Sequence, residues 1–147
     1  MPVRERLVEE MKEAMKARDE IRLSAIRLVR STVKNREIEK RRELDEQEII
    51  EVISALVKQR RESIRMFRDA GREELVAKEE RELEVLLSFL PAQLSPDEIR
   101  SFVNQAVAET GASSPADMGR VMKALLPMVA GKADGKLVSE LVKQALS

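Results

Sequence analysis

Apolar residues recur at three- and four-residue intervals along nearly the whole chain, and most residues that break helices fall between these stretches. That combination confines the 147 residues to an all-α fold. Val3, Leu7, Met11, Ala14 and Met15 make one stripe over residues 3–17. Asp19 is placed to cap a second helix over about 20–38, whose apolar face holds Ile21, Ala25, Leu28, Val29 and Val33. Asp45 followed by Glu48 has capping-box spacing and opens a third helix that Gly71 can end. A fourth is predicted over 73–90, where Pro91 forbids continuation. Ser95-Pro96-Asp97-Glu98 starts a fifth that stops at Gly111, Ser114-Pro115-Ala116-Asp117 starts a short sixth, and Asp134-Gly135 opens the last. In the sixth, Met118, Met122, Leu125, Leu126 and Met128 read as core filler.

The charge density changes at Pro91. Residues 1–90 carry 42 of the 54 charged side chains and residues 91–147 carry 12. The expected organisation is a long-helix N-terminal domain, 1–92, and a small three-helix C-terminal domain, 93–147. Lys plus Arg equals Asp plus Glu at 27 each, yet the zero sum hides segregation. Residues 22–42 sum to +6 and 58–72 to +4, whereas 43–51 hold five acids without a base and 73–84 sum to −4. Arg27, Arg30 and Lys34 follow i, i+3, i+7 on the second helix; Lys58, Arg61, Arg65 and Arg68 follow i, i+3, i+7, i+10 on the third. Parallel rows of this kind suit a phosphate backbone, and ion pairing with the acidic blocks is the alternative use of the same charges. Arg60 falls inside the apolar stripe of the third helix and Glu79 inside that of the fourth, so a half-buried Arg60–Glu79 pair is expected between them.

Cys, His, Trp and Tyr are absent. This excludes disulfides, Cys/His metal sites, imidazole acid–base chemistry and cysteine nucleophiles. No Ser lies in a nucleophile elbow, and no Gly-rich phosphate loop occurs. No catalytic residue, metal or cofactor is therefore expected. No apolar run approaches the roughly 20 residues that span a bilayer, so no membrane partner is expected. The charged start leads into no apolar signal region, and a cysteine-free chain fits a cytoplasmic location. Phe67, Phe89 and Phe102 all sit at apolar positions, which leaves no exposed platform for stacking bases.

Several stretches together resemble the YqeY family: Arg22-Leu23-Ser24-Ala25-Ile26-Arg27, Lys58-Gln59-Arg60-Arg61-Glu62-Ser63, Ala70-Gly71-Arg72 and Phe89-Leu90-Pro91-Ala92-Gln93-Leu94. Met118-Gly119-Arg120-Val121-Met122, followed by Gly131-Lys132-Ala133-Asp134-Gly135-Lys136-Leu137-Val138, is similar to that family's C-terminal module. A similar module ends the B subunit of the tRNA-dependent Asp/Glu amidotransferase, although Gly135 stands where that tail often has another residue. The resemblance covers essentially the whole chain. It implies two all-α domains and a non-catalytic accessory role with tRNA, alongside an amidotransferase or an aminoacyl-tRNA synthetase. On that reading Arg120, Lys123, Lys132 and Lys136, with amides at the start of the last helix, are the first candidates for RNA contact. Arg27, Arg30, Lys34, Arg61, Arg65 and Arg68 come second. A protein-interaction module without RNA contact is the alternative, and amide transfer by this chain itself ranks last.

Overall fold

A computed structural model describes all 147 residues, as seven α-helices and no strand. The chain forms two compact units, Met1–Pro91 and Ala92–Ser147. In the first, α1 (Val3–Ala17) packs on α2 (Glu20–Lys40), and α3 (Glu46–Asp69) packs on α4 (Glu73–Leu87). The two hairpins meet through α2, which also contacts α3 and α4. Ile26, Val29, Ile53 and Leu86 lie at the centre of the core, and Leu7, Ile49, Val52, Val57 and Phe89 extend it.

The caps follow from the side chains present. Asp19 accepts from the Arg22 amide, and Asp45 and Glu48 form the reciprocal box expected of them. Two helix ends carried no glycine signal. Arg18 and Arg41 adopt φ of +54° and +56° after α1 and α2, and the following amides reach back to the Ala14 and Glu37 carbonyls. The fourth helix ends at Leu87, three residues earlier than the stripe suggested. A residue before proline avoids helical dihedrals, so 88–90 tighten into i→i−3 turns, with Phe89 N–H on the Leu86 carbonyl and Leu90 N–H on that of Leu87.

In the second unit α5 (Pro96–Thr110), α6 (Met118–Val129) and α7 (Gly135–Leu146) close on Ile99, Val103, Ala106, Val121, Leu125, Val138 and Val142. Ser114 and Asp117 frame a single 3₁₀ turn, Pro115–Asp117, before α6 begins. Leu126 is half exposed rather than core filler, because it lies about a quarter turn of α6 away from the stripe of Val121, Leu125 and Val129. Leu94 N–H donates to the Lys132 carbonyl at 2.8 Å and the Gln93 amide to the Gly131 carbonyl at 2.9 Å. The strand-like lead into α5 thereby fixes the α6–α7 turn.

The α3–α4 hairpin holds the expected Arg60–Glu79 pair, at 2.5 Å, and adds a second carboxylate, Glu82, at 2.8 Å. Glu82 is the one charged residue that is buried. Two carboxylates here share one nitrogen of a single guanidinium, so removing Arg60 leaves both uncompensated. Arg60→Met is expected to cost about 3 kcal/mol in urea denaturation. Replacing Arg60, Glu79 and Glu82 together by Met or Leu should return stability to the wild-type level or above. A single variant as stable as wild type would contradict this account.

Candidate nucleic-acid interface

Arg27, Arg30 and Lys34 are exposed along one flank of α2, beside the buried Ile26, Val29 and Val33. Seven residues at 1.5 Å rise place the row over about 10 Å. None of the three has a carboxylate within ion-pair distance; Arg30 touches only the Met11 sulfur, at 3.0 Å. Beneath them lies a groove of about 650 Å³ with Leu7, Val8, Val33 and Ile49 along its floor. One end is closed by Arg4, which donates to Glu37 at 2.6 Å and to the Leu44 carbonyl at 3.0 Å. Glu37 also accepts the Leu44 amide, and that bond with the Arg4 guanidinium holds its carboxyl below the usual range. The only acid in the groove is thus already paired, and the row above it is not.

The ends of α2 differ from its middle. Arg22 is bound by Glu10, and Lys40 and Arg42 by Glu48, whose carboxyl these two cations and the Asp45 amide hold far below its ordinary value.

The α3 row is placed otherwise. Arg68 is tied to Glu80 of α4 at 2.6 Å, Arg65 has a partner of its own, and half-buried Arg61 has no carboxylate. The α2 cations edge the groove beside α1, and in the α3 row Arg68 lies against an acid of α4.

At the C-terminal candidates the structure separates two pairs. Arg120 and Lys123 share the first turns of α6, whereas Lys132 follows its last turn and Lys136 is the second residue of α7. From Lys123 to the last residue of α6 is about 9 Å of helix, and from Arg120 about 14 Å. Arg120 donates to Asp117 at 2.7 Å and to the Thr110 carbonyl at 3.0 Å. At the start of α7 the Lys136 amide donates to the Asp134 carboxylate at 3.1 Å, so a side chain of the protein itself sits where an anion was expected. Lys123, Lys132 and Lys136 remain exposed, with no carboxylate bound to their ammonium groups.

The sequence reading did not foresee the groove, because its lining is assembled from α1, α2 and α3. Arg4 was the available signal, a charge one turn before Leu7 in the α1 stripe. The aromatic rings offer no stacking face: Phe89 is buried under the Arg6 guanidinium, 4.8 Å from the ring centre, and Phe67 and Phe102 are half-buried. No three His, Cys, Asp or Glu side chains are grouped to hold a metal, and no helix is long and apolar enough to cross a membrane.

The model of the YqeY-like proteins matches residues 4–146. The chain belongs to that family. Among curated relatives, a protein of Kluyveromyces lactis named "Altered inheritance of mitochondria protein 41, mitochondrial" is 36% identical over 133 residues, 88% of this chain and 68% of its own length. Proteins of the same name from Eremothecium gossypii and Vanderwaltozyma polyspora are 39% and 36% identical, over 58% and 67% of this chain. This YqeY-like chain spans 48% and 55% of those two. The relatives are named as mitochondrial, which overturns the cytoplasmic expectation. The expectation rested on a charged start without an apolar signal region and on missing cysteine, and the latter does not separate one reducing compartment from another.

Asp117 yields a testable pH effect. The Ser113 amide and then the Arg120 guanidinium lower its carboxyl from 3.8 to about 2. A depressed folded-state value stabilises fully above the unfolded value, and the stabilisation is lost as pH falls through the folded one. Asp117→Asn should therefore lower the melting temperature at neutral pH. The gap to wild type should narrow as pH drops from about 4 towards 2. A gap that stays constant across that window would refute the assignment.

Proposed function

We propose that this YqeY-like protein is a non-catalytic accessory module that binds folded RNA, tRNA first among candidates, through the middle of α2. The observation that carries the reading is the row of Arg27, Arg30 and Lys34, unpaired in a chain with equal numbers of acids and bases. Guanidinium groups form bidentate hydrogen bonds with phosphate, and each phosphate neutralised releases condensed counterion. Without a stacking ring, recognition runs through backbone and shape rather than through splayed bases. Exposed Lys123, Lys132 and Lys136 supply a second contact, and Arg120 contributes less because Asp117 already holds it. The family resemblance supports the same direction, with an amidotransferase or an aminoacyl-tRNA synthetase as the protein beside which the module works.

The test is tRNA affinity measured across a salt series. Wild-type affinity should fall steeply with salt, and Arg27→Gln/Arg30→Gln/Lys34→Gln should flatten the log–log slope by about 2 to 3. Lys132→Gln/Lys136→Gln should flatten it less. An unchanged slope in the α2 variant would overturn the reading. Incubation with mischarged tRNA, glutamine and ATP should give no turnover, and amide transfer by the purified chain would contradict the non-catalytic assignment.

A further inference from the structure

The groove beneath the α2 row has features that a phosphate-binding surface alone does not need. Its floor is aliphatic, made by Leu7 and Val8 of α1, Val33 of α2 and Ile49 of α3. Its volume, about 650 Å³, lies within the range of small-molecule sites. No aromatic ring lines it, and the Ser31 hydroxyl there already donates to the Leu28 carbonyl at 3.1 Å. A nucleobase would find no stacking face in it, and its free donors are the cations along its edge rather than groups on its floor.

The charges give the groove a direction. Arg4 on α1 meets Glu37 on α2 and Met11 meets Arg30, so the two helices run antiparallel along it. The Arg4–Glu37 pair shuts one end, and Glu37, held as its anion, repels a second negative group there. Arg27 and Arg30 stand towards the other end with no carboxylate. We propose that the groove is a binding site for a small amphiphilic anion, an alkyl chain carrying one phosphate or carboxylate, with its head between Arg27 and Arg30 and its chain over Val8, Leu7, Val33 and Ile49.

This goes beyond the RNA reading and does not depend on it. RNA phosphates would use the three cations and leave the floor untouched, whereas an alkyl anion uses both. Burying a methylene strengthens binding about fourfold, so even a few methylenes on the floor separate the two cases.

The probes are inorganic phosphate, butyl, hexyl and octyl phosphate below their micelle-forming concentrations, and neutral octyl glucoside, titrated into the ¹⁵N-labelled full chain. Affinity should rise with alkyl length, with octyl phosphate at least about tenfold tighter than inorganic phosphate. Amide shifts should centre on Leu7, Val8, Arg30 and Ser31, and octyl glucoside should bind far more weakly than octyl phosphate. Arg27→Glu/Arg30→Glu, both exposed positions, should weaken every phosphate. Val8→Asn, which removes apolar surface without adding charge, should weaken the length dependence and leave the affinity for inorganic phosphate and tRNA nearly as it was. Octyl phosphate binding no tighter than inorganic phosphate, or shifts centred outside the groove, would overturn the inference. The length series in the wild-type chain decides the matter even if Val8→Asn fails to fold. Loss of alkyl-phosphate binding with tRNA binding intact removes only this site, and the reverse result removes only the RNA reading.

Discussion

A chain with as many acids as bases presents a cationic surface only where its carboxylates are held elsewhere. In the first unit several of them are held at the helix ends and along the α3–α4 seam. Arg60 binds Glu79 and Glu82, Arg68 binds Glu80, Arg42 and Lys40 share Glu48, and Arg4 takes Glu37. The acids of 43–51 and 73–84 are thereby drawn largely towards the turns and towards α3. The middle of α2 is left without counter-charge over about two helical turns. Net charge therefore says little about what this molecule can bind, whereas the placement of its ion pairs says a great deal.

The second unit treats anions differently. Asp117 gathers the amides of Ser113 and Ser114 and the Arg120 guanidinium, and Asp134 accepts the Lys136 amide. Each carboxylate fills a helix-start position that a phosphate would otherwise find attractive. The cations in this unit that stay open, Lys123, Lys132 and Lys136, are flexible ammonium groups rather than guanidinium forks. They suit auxiliary, loosely directed contact with a polyanion.

Local structure was legible in the sequence wherever a side chain determines the backbone directly. Asp19, Asp45 with Glu48, and Ser95 with Glu98 cap the helices they were expected to cap. Gly71 and Gly111 take positive φ at the two helix ends assigned to them. Arg60 found Glu79 because two charges inside apolar stripes have few other ways to be satisfied. The helix ends at Arg18 and Arg41 were not legible, since a non-glycine residue in that conformation is imposed by the surrounding turn. Nor was the groove, whose parts lie far apart along the chain on three helices. The C-terminal cations looked like one cluster because they are near in sequence, yet α6 carries about 9 Å of helix beyond Lys123, and about 14 Å beyond Arg120, before the turn that holds Lys132.

The central claim is that a polyanion lies against the middle of α2, and lysine footprinting by mass spectrometry tests it most directly. With tRNA bound, Lys34 should be protected from amine acylation strongly, Lys132 and Lys136 moderately, and Lys58 little. Full reactivity of Lys34 in a saturated complex, with protection confined to the second unit, would contradict the account.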